Sequence, residues 1–447
     1  LIRPYLCKAG DRQKKIRSGS PGRFLIGRTE DPVIHVVEDL NQLPYNMEKG
    51  REASMTDGIN RRDFLKGSLL SGAGCALGLA GLAGAGSQAH AAGFWGSKPA
   101  KPVEYHSAGW SRSLPGGVVE CTLCPLMEKL ADGRTGMCRV RHNRGGRLYV
   151  SNYGRPSSLH LDPVEKNPLY HYTPGVKCLA LATAGCNLSC PACQNWEISQ
   201  KAVSQVESYS LPPDKAIFHA KKNGCQAISY TFSEPVVFYE YLVDTAALAK
   251  KAGLASHVVS GGYVSPGPLR AMCRAVDSFV ISIKGTQDSS YGGRPGVFGR
   301  IRETMKIIRE EGRWLEVAVL VTPGVNDGEA QLMEVCRFVK ESLGELTPIH
   351  FSRFFPSFRL GNLPQTPVST LEKAVKIAGQ AGLQYAYVGN VPGHGGNNTH
   401  CHHCKKMIVQ RVGFRVLQNH VAKGRCAFCG GEIPGIWALP QAKGLDQ

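Results

Sequence analysis

Cys186-Asn-Leu-Ser-Cys190-Pro-Ala-Cys193-Gln-Asn-Trp196 is the stretch around which the chain is built. It follows the apolar run Cys178-Leu-Ala-Leu-Ala-Thr183, which reads as a buried strand. Three cysteines spaced x3 and then x2 can wrap one short loop around a cubane, each thiolate taking a different iron. Most [4Fe–4S] clusters have four cysteine ligands. Cys186, Cys190 and Cys193 have no close fourth, so one iron stays open for a ligand that is not protein. Cys178 lies within the strand and reads as core. A partial zinc site or buried apolar thiols are the plainer readings of such a loop. Its position after a strand in a βα chain favours the cluster.

The chain has 447 residues, enough for one large α/β domain with appendages. Aromatic residues make up 8% and charged residues 20%, as in an ordinary globular protein. The formal charge of +18 suggests an anionic partner. Residues 1–91 hold 13 Lys and Arg against 9 Asp and Glu, and metal-bound thiolates lower the remainder further. No basic run is interleaved with aromatics, so no nucleic-acid partner is expected. Sixteen cysteines, many in Cys-x2-Cys pairs, point to metal rather than disulfides in a cytosolic protein.

Residues 1–54 mix Arg, Gly, Pro and acids without periodicity, and read as a disordered leader or an over-extended start. Asn60-Arg61-Arg62-Asp63-Phe64-Leu65-Lys66 then precedes a Gly/Ala/Leu stretch that ends in Gln88-Ala89-His90-Ala91. Residues 55–91 therefore read as a twin-arginine signal peptide, with the export machinery as partner and the periplasm or outer face of the envelope as destination. A transmembrane anchor is the alternative, but the Gly/Ala/Ser content is weakly hydrophobic for a permanent span. Chemistry that depends on a small-molecule cofactor and a strong reductant would favour the cytoplasm instead. Residues 92–115 form a Pro/Gly/Ser-rich linker.

From residue 177 to 395 an apolar run, a turn and an amphipathic helix repeat. Strand-like runs lie near 178–183, 226–232, 254–259, 278–284, 315–321, 348–354 and 384–388. The helix at 296–311 places Phe298, Ile301, Met305 and Ile308 on one face. Gly224, Gly253, Gly312 and Gly382 stand where left-handed helix caps are common. Strands alternating with helices imply a parallel sheet, and about seven units imply a partial (β/α) TIM-type barrel. In such folds chemistry gathers at the C-terminal ends of the strands. Ser233-Glu234-Pro235, Ser260-Gly261-Gly262-Tyr263, Lys284, Pro323-Gly-Val-Asn326-Asp327, His350 with Arg353, and Gly389-Asn390 all fall at that end.

Two cysteine-rich segments flank the barrel. In the N-terminal one, 116–176, Cys121, Cys124, Cys138 and His142 have zinc-like spacing. In the C-terminal one, 396–447, Cys401, Cys404, Cys426 and Cys429 form two knuckles separated by 21 residues. Four such thiolates favour a zinc-ribbon-like module, with a second cluster as the alternative.

With Gly185-Cys-Asn-Leu-Ser-Cys190-Pro-Ala-Cys-Gln-Asn195, four further stretches extend the pattern: Asp162-Pro-Val-Glu-Lys-Asn-Pro-Leu-Tyr-His171, Ser229-Tyr-Thr-Phe-Ser-Glu-Pro235, Val388-Gly-Asn-Val-Pro392 and Ile433-Pro-Gly-Ile-Trp437. From about Cys121 to Trp437 the chain resembles the radical S-adenosylmethionine (SAM) enzyme of the AmmeMemoRadiSam system, a relative of pyruvate formate-lyase activating enzymes. The resemblance implies a radical SAM partial barrel, a [4Fe–4S] cluster on Cys186, Cys190 and Cys193, and SAM held at the open iron. It places the SAM amino group near Glu234 and a further SAM contact on Lys284, while Ser260 and Asn390 are candidate contacts at the same end of the barrel. Four positions depart from the family pattern. Ala192 stands where an aromatic often precedes the third cysteine, Ser282 where Asp often precedes the lysine, Ser260-Gly-Gly-Tyr263 replaces Thr-Asn-Gly-Tyr, and Glu128 stands near a usual fourth N-terminal cysteine.

The expected activity is reductive cleavage of SAM by one electron from a reductant, giving a 5′-deoxyadenosyl radical that abstracts hydrogen from a substrate. One alternative is activation of a glycyl-radical enzyme, which makes the substrate a protein. Another is an exported iron–sulfur and zinc protein for electron transfer or binding, without SAM chemistry.

Overall fold

The structure is a computed structural model that describes residues 103–439. The leader, the twin-arginine stretch and the start of the linker lie outside these residues. Six short strands come first: β1 (His106–Ser107), β2 (Ser111–Ser113), β3 (Val119–Cys121), β4 (Lys129–Leu130), β5 (Arg141–Arg144) and β6 (Arg147–Val150). They form two small antiparallel sheets, ordered β1-β6-β5 and β2-β3-β4.

The body is an eight-stranded sheet built from β7 (Pro156–Pro163), β8 (Lys177–Thr183), β9 (Ala227–Tyr230), β10 (Ala255–Ser260), β11 (Ser278–Ile283), β12 (Trp314–Val321), β13 (Ile349–Arg353) and β14 (Ala386–Gly389). Strand order follows chain order, and β8 to β14 are parallel. The edge strands β7 and β14 do not pair with each other, so the barrel is partial. One helical turn, α1 (Trp196–Ser199), follows the cysteine loop. The crossovers are α2 (Pro213–Lys222), α3 (Tyr239–Lys251), α4 (Pro266–Ala275), α5 (Val297–Glu310), α6 (Glu329–Leu343) and α7 (Val368–Gln380).

All seven parallel strands fall within about two residues of the apolar runs, because a strand covered on both faces must be apolar throughout. The eighth is a difference. β7 falls in the segment read as part of the N-terminal cysteine module, yet it joins the barrel edge antiparallel to β8, from Pro156 opposite Thr183 to Pro163 opposite Lys177. Its Ser, His and Asp residues are tolerated because an edge strand is not buried on both faces.

The period of two along each strand sorts the side chains. Leu179, Leu181, Ile228, Val258, Phe279, Ile281 and Val317 pack outward under the helices. Cys178, Ala227, Ala255, Val280 and Ala318 face inward with Val164, Leu169 and Tyr172, which fill the floor of the barrel. In α5 the residues Phe298, Ile301, Met305 and Ile308 are all buried, each contributing about 1.5–3 kcal/mol. Gly224, Gly253, Gly312 and Gly382 all have positive φ just past helix ends, as their positions require.

The C-terminal module contains β15 (Thr399–His400), β16 (Met407–Val412), β17 (Arg415–Asn419), β18 (Val421–Ala422) and β19 (Arg425–Cys426). It closes the barrel floor. Thr173 N donates to Ile436 O at 2.6 Å and Ile436 N to His171 O at 2.8 Å, while Arg411 Nη2 donates to Tyr170 O at 2.9 Å. Above this contact, buried Glu316 accepts from the Tyr170 and His171 amides and lies 2.7 Å from His350 Nε2. His350, on β13, thus belongs to the floor and not to the reactive end.

Candidate active site

The β8 strand ends at Thr183, and Gly185 (φ 97°) turns the chain into the cysteine loop. An ideal Cβ on Gly185 would lie 2.6 Å from Cys138 O, so only glycine lets the N-terminal segment approach this closely. Each cysteine of the loop has an electropositive neighbour. Leu188 N donates to Cys186 Sγ at 3.3 Å, Ser199 Oγ lies 3.2 Å from Cys193 Sγ, and the Lys284 charge favours the thiolate of Cys190. Burial nevertheless pushes Cys190 up to about 12 and Cys186 well above the ordinary thiol value. A metal binds the thiolate, so loading one here would release these protons. Three thiols on one short loop, Cys186 with an amide donor at its sulfur, fit a [4Fe–4S] cluster with one open iron.

Glu234 caps the short helical turn after β9. Its Oε1 accepts from Val236 N at 3.1 Å and Ser260 Oγ at 2.6 Å, and its Oε2 accepts from Gly261 N at 2.8 Å. Burial pushes its carboxyl up, opposed by those three bonds and by the Lys284 charge. Its own charge raises both Cys186 and Cys190. Glu234 and Ser260 therefore sit together beside the cysteine loop, where an ideal Cβ on Gly261 would meet both Leu188 Cδ1 and Glu234 Oε2, and the Lys284 charge acts on Cys190. Asn390 is placed differently. It sits past β14 at the other edge of the sheet with φ 58°, and its Nδ2 donates to Arg353 O at 3.4 Å.

Further residues support the site. Asn326 supports Lys284 by donating to its carbonyl at 3.0 Å and to Leu320 O at 2.8 Å. Tyr291 Oη accepts from Lys284 N at 3.1 Å and donates to Gly285 O at 2.9 Å. The loop after β13 lies across the cysteine loop. Ser357 Oγ donates to Cys193 O and Arg359 N to Pro191 O, both at 3.2 Å. Phe358 stacks on Trp196 with ring centroids 5.5 Å apart. Ala192 packs against Leu320 and fully buried Phe354, so aromatic bulk reaches this spot from β13's loop rather than from position 192. The dense apolar run Phe354-Phe355-Pro-Ser-Phe358 in an expected loop is the signal that marks this cover.

The flanking cysteine groups differ. Cys401, Cys404, Cys426 and Cys429 have sulfurs all within 4.8 Å of one another, with Cys401–Cys429 at 3.7 Å and Cys404–Cys426 at 3.8 Å. Tetrahedral Zn–S bonds of ~2.3 Å place sulfurs about 3.8 Å apart, so the four thiolates can hold a metal ion. The N-terminal set requires a correction. His142 does not join Cys121, Cys124 and Cys138, because its Nδ1 lies 2.8 Å from Thr135 Oγ1 and its Nε2 3.0 Å from Ser151 Oγ. Both ring nitrogens are engaged elsewhere. Among the described residues, no second group of three or more Cys, His, Asp or Glu ligand atoms meets the 4.8 Å spacing.

Residues 181–336 match the Radical SAM superfamily, and residues 58–78 match the twin-arginine translocation pathway signal sequence. An uncharacterized protein of Methanocaldococcus jannaschii is 38% identical over 317 residues, which cover 70% of this chain and 95% of that protein. Among solved structures, a domain of a pyruvate-formate lyase-activating enzyme from Bacteroides vulgatus is 14% identical, covering 37% of this chain and 99% of its own, with TM-score 0.33. A radical SAM methyltransferase from Sphaerobacter thermophilus is 16% identical, covering 48% of this chain and 67% of its own, with TM-score 0.39.

Proposed function

The chain belongs to the radical SAM superfamily, and from that premise we propose that it is an exported enzyme of the pyruvate formate-lyase activating type. Cys186, Cys190 and Cys193 would hold a [4Fe–4S] cluster, with Glu234 and Lys284 beside it to bind SAM. With one electron from an external reductant, that pair of cofactors would break the sulfonium C–S bond of SAM, releasing methionine and a 5′-deoxyadenosyl radical able to abstract hydrogen from a substrate.

The protein's own contribution is placement and exclusion of water. Glu234 offers a buried carboxylate to the SAM ammonium, and Ser260 and the Gly261 amide hold that carboxylate in position. Lys284, supported by Asn326 and Tyr291, offers a cation to a SAM oxygen. The 354–363 loop covers the far side of the cysteine loop, and Asn390 lies at the opposite lip. The C-terminal module holds zinc on its four cysteines, and the twin-arginine signal directs the folded, cofactor-loaded protein to the periplasmic side of the membrane.

The observation that supports this most is the place of the Glu234 carboxylate beside the cysteine loop, since an ideal Cβ on Gly261 would meet both Leu188 Cδ1 at 2.9 Å and Glu234 Oε2 at 3.2 Å. Anaerobically reconstituted protein is expected to bind SAM and to release 5′-deoxyadenosine under strong reductant. Cluster-loaded protein that fails to bind SAM would refute the reading and favour an electron-transfer or metal-binding role.

A further inference from the structure

The barrel lumen above Tyr172 holds polar groups that neither the cysteine loop nor the SAM contacts use. Register places them. His160 on β7 lies opposite Ala180, Ala180 opposite Ser229, and Ser229 opposite His257. Leu179, Leu181, Ile228 and Val258 of the same strands pack outward, so this row faces inward. Asp162, opposite Cys178, stands one step nearer the floor. Ala180 puts no more than a methyl group between His160 and Ser229.

Three inward atoms are buried without a hydrogen-bond partner among the described residues: Asp162 Oδ2, Ser229 Oγ and His257 Nε2. A buried polar atom left unmatched is costly, and native folds keep few of them. Lys166 shows that solvent reaches this space. It leaves the turn after β7, and its Nζ lies 2.8 Å from Asp162 Oδ1 and 6.0 Å from the centre of the Phe232 ring. The Lys166 side chain is 36% exposed, that of Asp162 only 9%. An ion pair of this spacing on an outer surface would keep both carboxylate oxygens in water. Here one oxygen holds the lysine and the other stays unmatched inside the barrel.

Phe232 bounds the space towards the cysteine loop. Its φ is 61°, uncommon for so bulky a residue. Ser233 N donates to Thr231 O at 2.8 Å across it, and Asn195 Nδ2, just past the third cluster cysteine, donates to Phe232 O at 2.7 Å. The ring turns to β7 and meets His160 edge to face, with centroids 5.3 Å apart. Backbone strain of this kind persists only where the surroundings over-determine it, and it gathers at ligand sites. Glu234 follows two residues later, so one loop carries both the carboxylate offered to SAM and the ring beside Lys166.

We propose that this chamber binds the substrate, and that the substrate is a small zwitterion with an ammonium and a carboxylate at one end, as in an α-amino acid. The proposal rests on the SAM-cleaving reading above. Asp162 Oδ2 takes the ammonium. Lys166, with N–H groups to spare beyond Asp162 Oδ1, takes the carboxylate. Ser229 Oγ and His257 Nε2 match further polar atoms of the same head. The charges of Asp162 and Lys166 cancel, so the chamber suits a ligand that is neutral overall and disfavours a bare cation or anion. Phe232 lies along the carbon chain that leads from this head towards the cysteine loop, where hydrogen is abstracted.

The test uses the full chain loaded with cluster and SAM but without reductant, so that no turnover contributes, and titrates the common α-amino acids one at a time by calorimetry. At least one should bind, and its decarboxylated and deaminated counterparts, each lacking one charge, should not. D162N and K166Q should each weaken that binding by about 10- to 100-fold, with SAM affinity unchanged. K166Q alters a partly exposed side chain and so reports on the site even where D162N fails to fold. Failure of every amino acid to bind the SAM-loaded protein would overturn the proposal. Equal binding of the amine or the acid would overturn the zwitterionic class, and binding unmoved by K166Q would overturn the site. An amino acid bound by protein that takes no SAM would leave the site standing and refute the enzymatic reading instead.

Discussion

Ser260 donates its hydroxyl hydrogen to Glu234 Oε1 at 2.6 Å, which joins the loop after β10 to the loop after β9 beneath the cysteine loop. With Gly261 N on Oε2, a single carboxylate sets the relative position of two barrel loops. A group this tightly held presents its charge to a ligand without further ordering, which is the physical basis of preorganisation.

Glu234→Gln is expected to weaken SAM binding to cluster-loaded protein by about 10- to 100-fold, the equivalent of one charged hydrogen bond of about 1.5–3 kcal/mol. Ser260→Ala leaves the other two bonds of Glu234 in place and should cost about 1 kcal/mol. Equilibrium titration with SAM, set beside the melting temperatures, separates lost binding from lost fold. Equal affinities for Glu234→Gln and wild type would remove Glu234 from the SAM site.

Gly185→Ala should cost about 2–4 kcal/mol, from a side chain forced into positive φ and driven against Cys138 O and Val140. Denaturant unfolding measures the loss. Iron retention should fall in parallel, because the same glycine opens the cysteine loop.

Arg141→Met should cost about 3–5 kcal/mol, since it removes the cation that pairs Glu240 and leaves that carboxylate with the Gly109 amide. Arg141 is 2% exposed and reaches both carboxylate oxygens of Glu240 at 2.7 Å. Glu240→Leu added to Arg141→Met should recover much of the loss, and denaturant midpoints for the single and double variants test this.

Stability should fall as pH is lowered from about 6.5 to 4. Burial holds His171 down to about 4, against the Glu316 charge that favours its protonation, and holds His257 down to about 3. Both are neutral in the fold while the unfolded chain takes up protons below about 6.5, so their stabilisation is complete above that pH and lost beneath it, by about 3 kcal/mol for His171 alone. His257→Gln, which keeps a partner for Ser278, should flatten this dependence in urea unfolding followed across pH. An unchanged slope would exclude His257 as a contributor.

Metal removal from the C-terminal module should lower the melting temperature of the whole protein, not of the module alone. Arg411 and Ile436 carry its contacts into the barrel floor at Tyr170, His171 and Thr173. Cys404→Ser should reproduce the effect of a chelator.

Much of the barrel can be read from local pattern. A doubly covered strand is apolar along its length, and each helix announces its buried face at a spacing of three and four, as Phe298, Ile301, Met305 and Ile308 do. The cysteine loop is likewise local, because one short segment supplies all three thiols. β7 escaped this reading because edge strands may be polar. His142 has ligand spacing but turns its ring nitrogens to Thr135 and Ser151, because spacing brings a side chain near without showing which way it points.

By itself, the sequence determined the alternation of strands and helices, the three-cysteine loop after the first parallel strand and the four-cysteine module. These are properties of contiguous residues, set by burial period and ligand spacing. Only the tertiary structure decided that Glu234 is held by Ser260 and Gly261, that Phe354 covers Ala192, and that His160 packs on Phe232. Those pairings join segments that the chain keeps apart. They arise from side-chain packing and hydrogen-bond direction, which no one-dimensional spacing specifies.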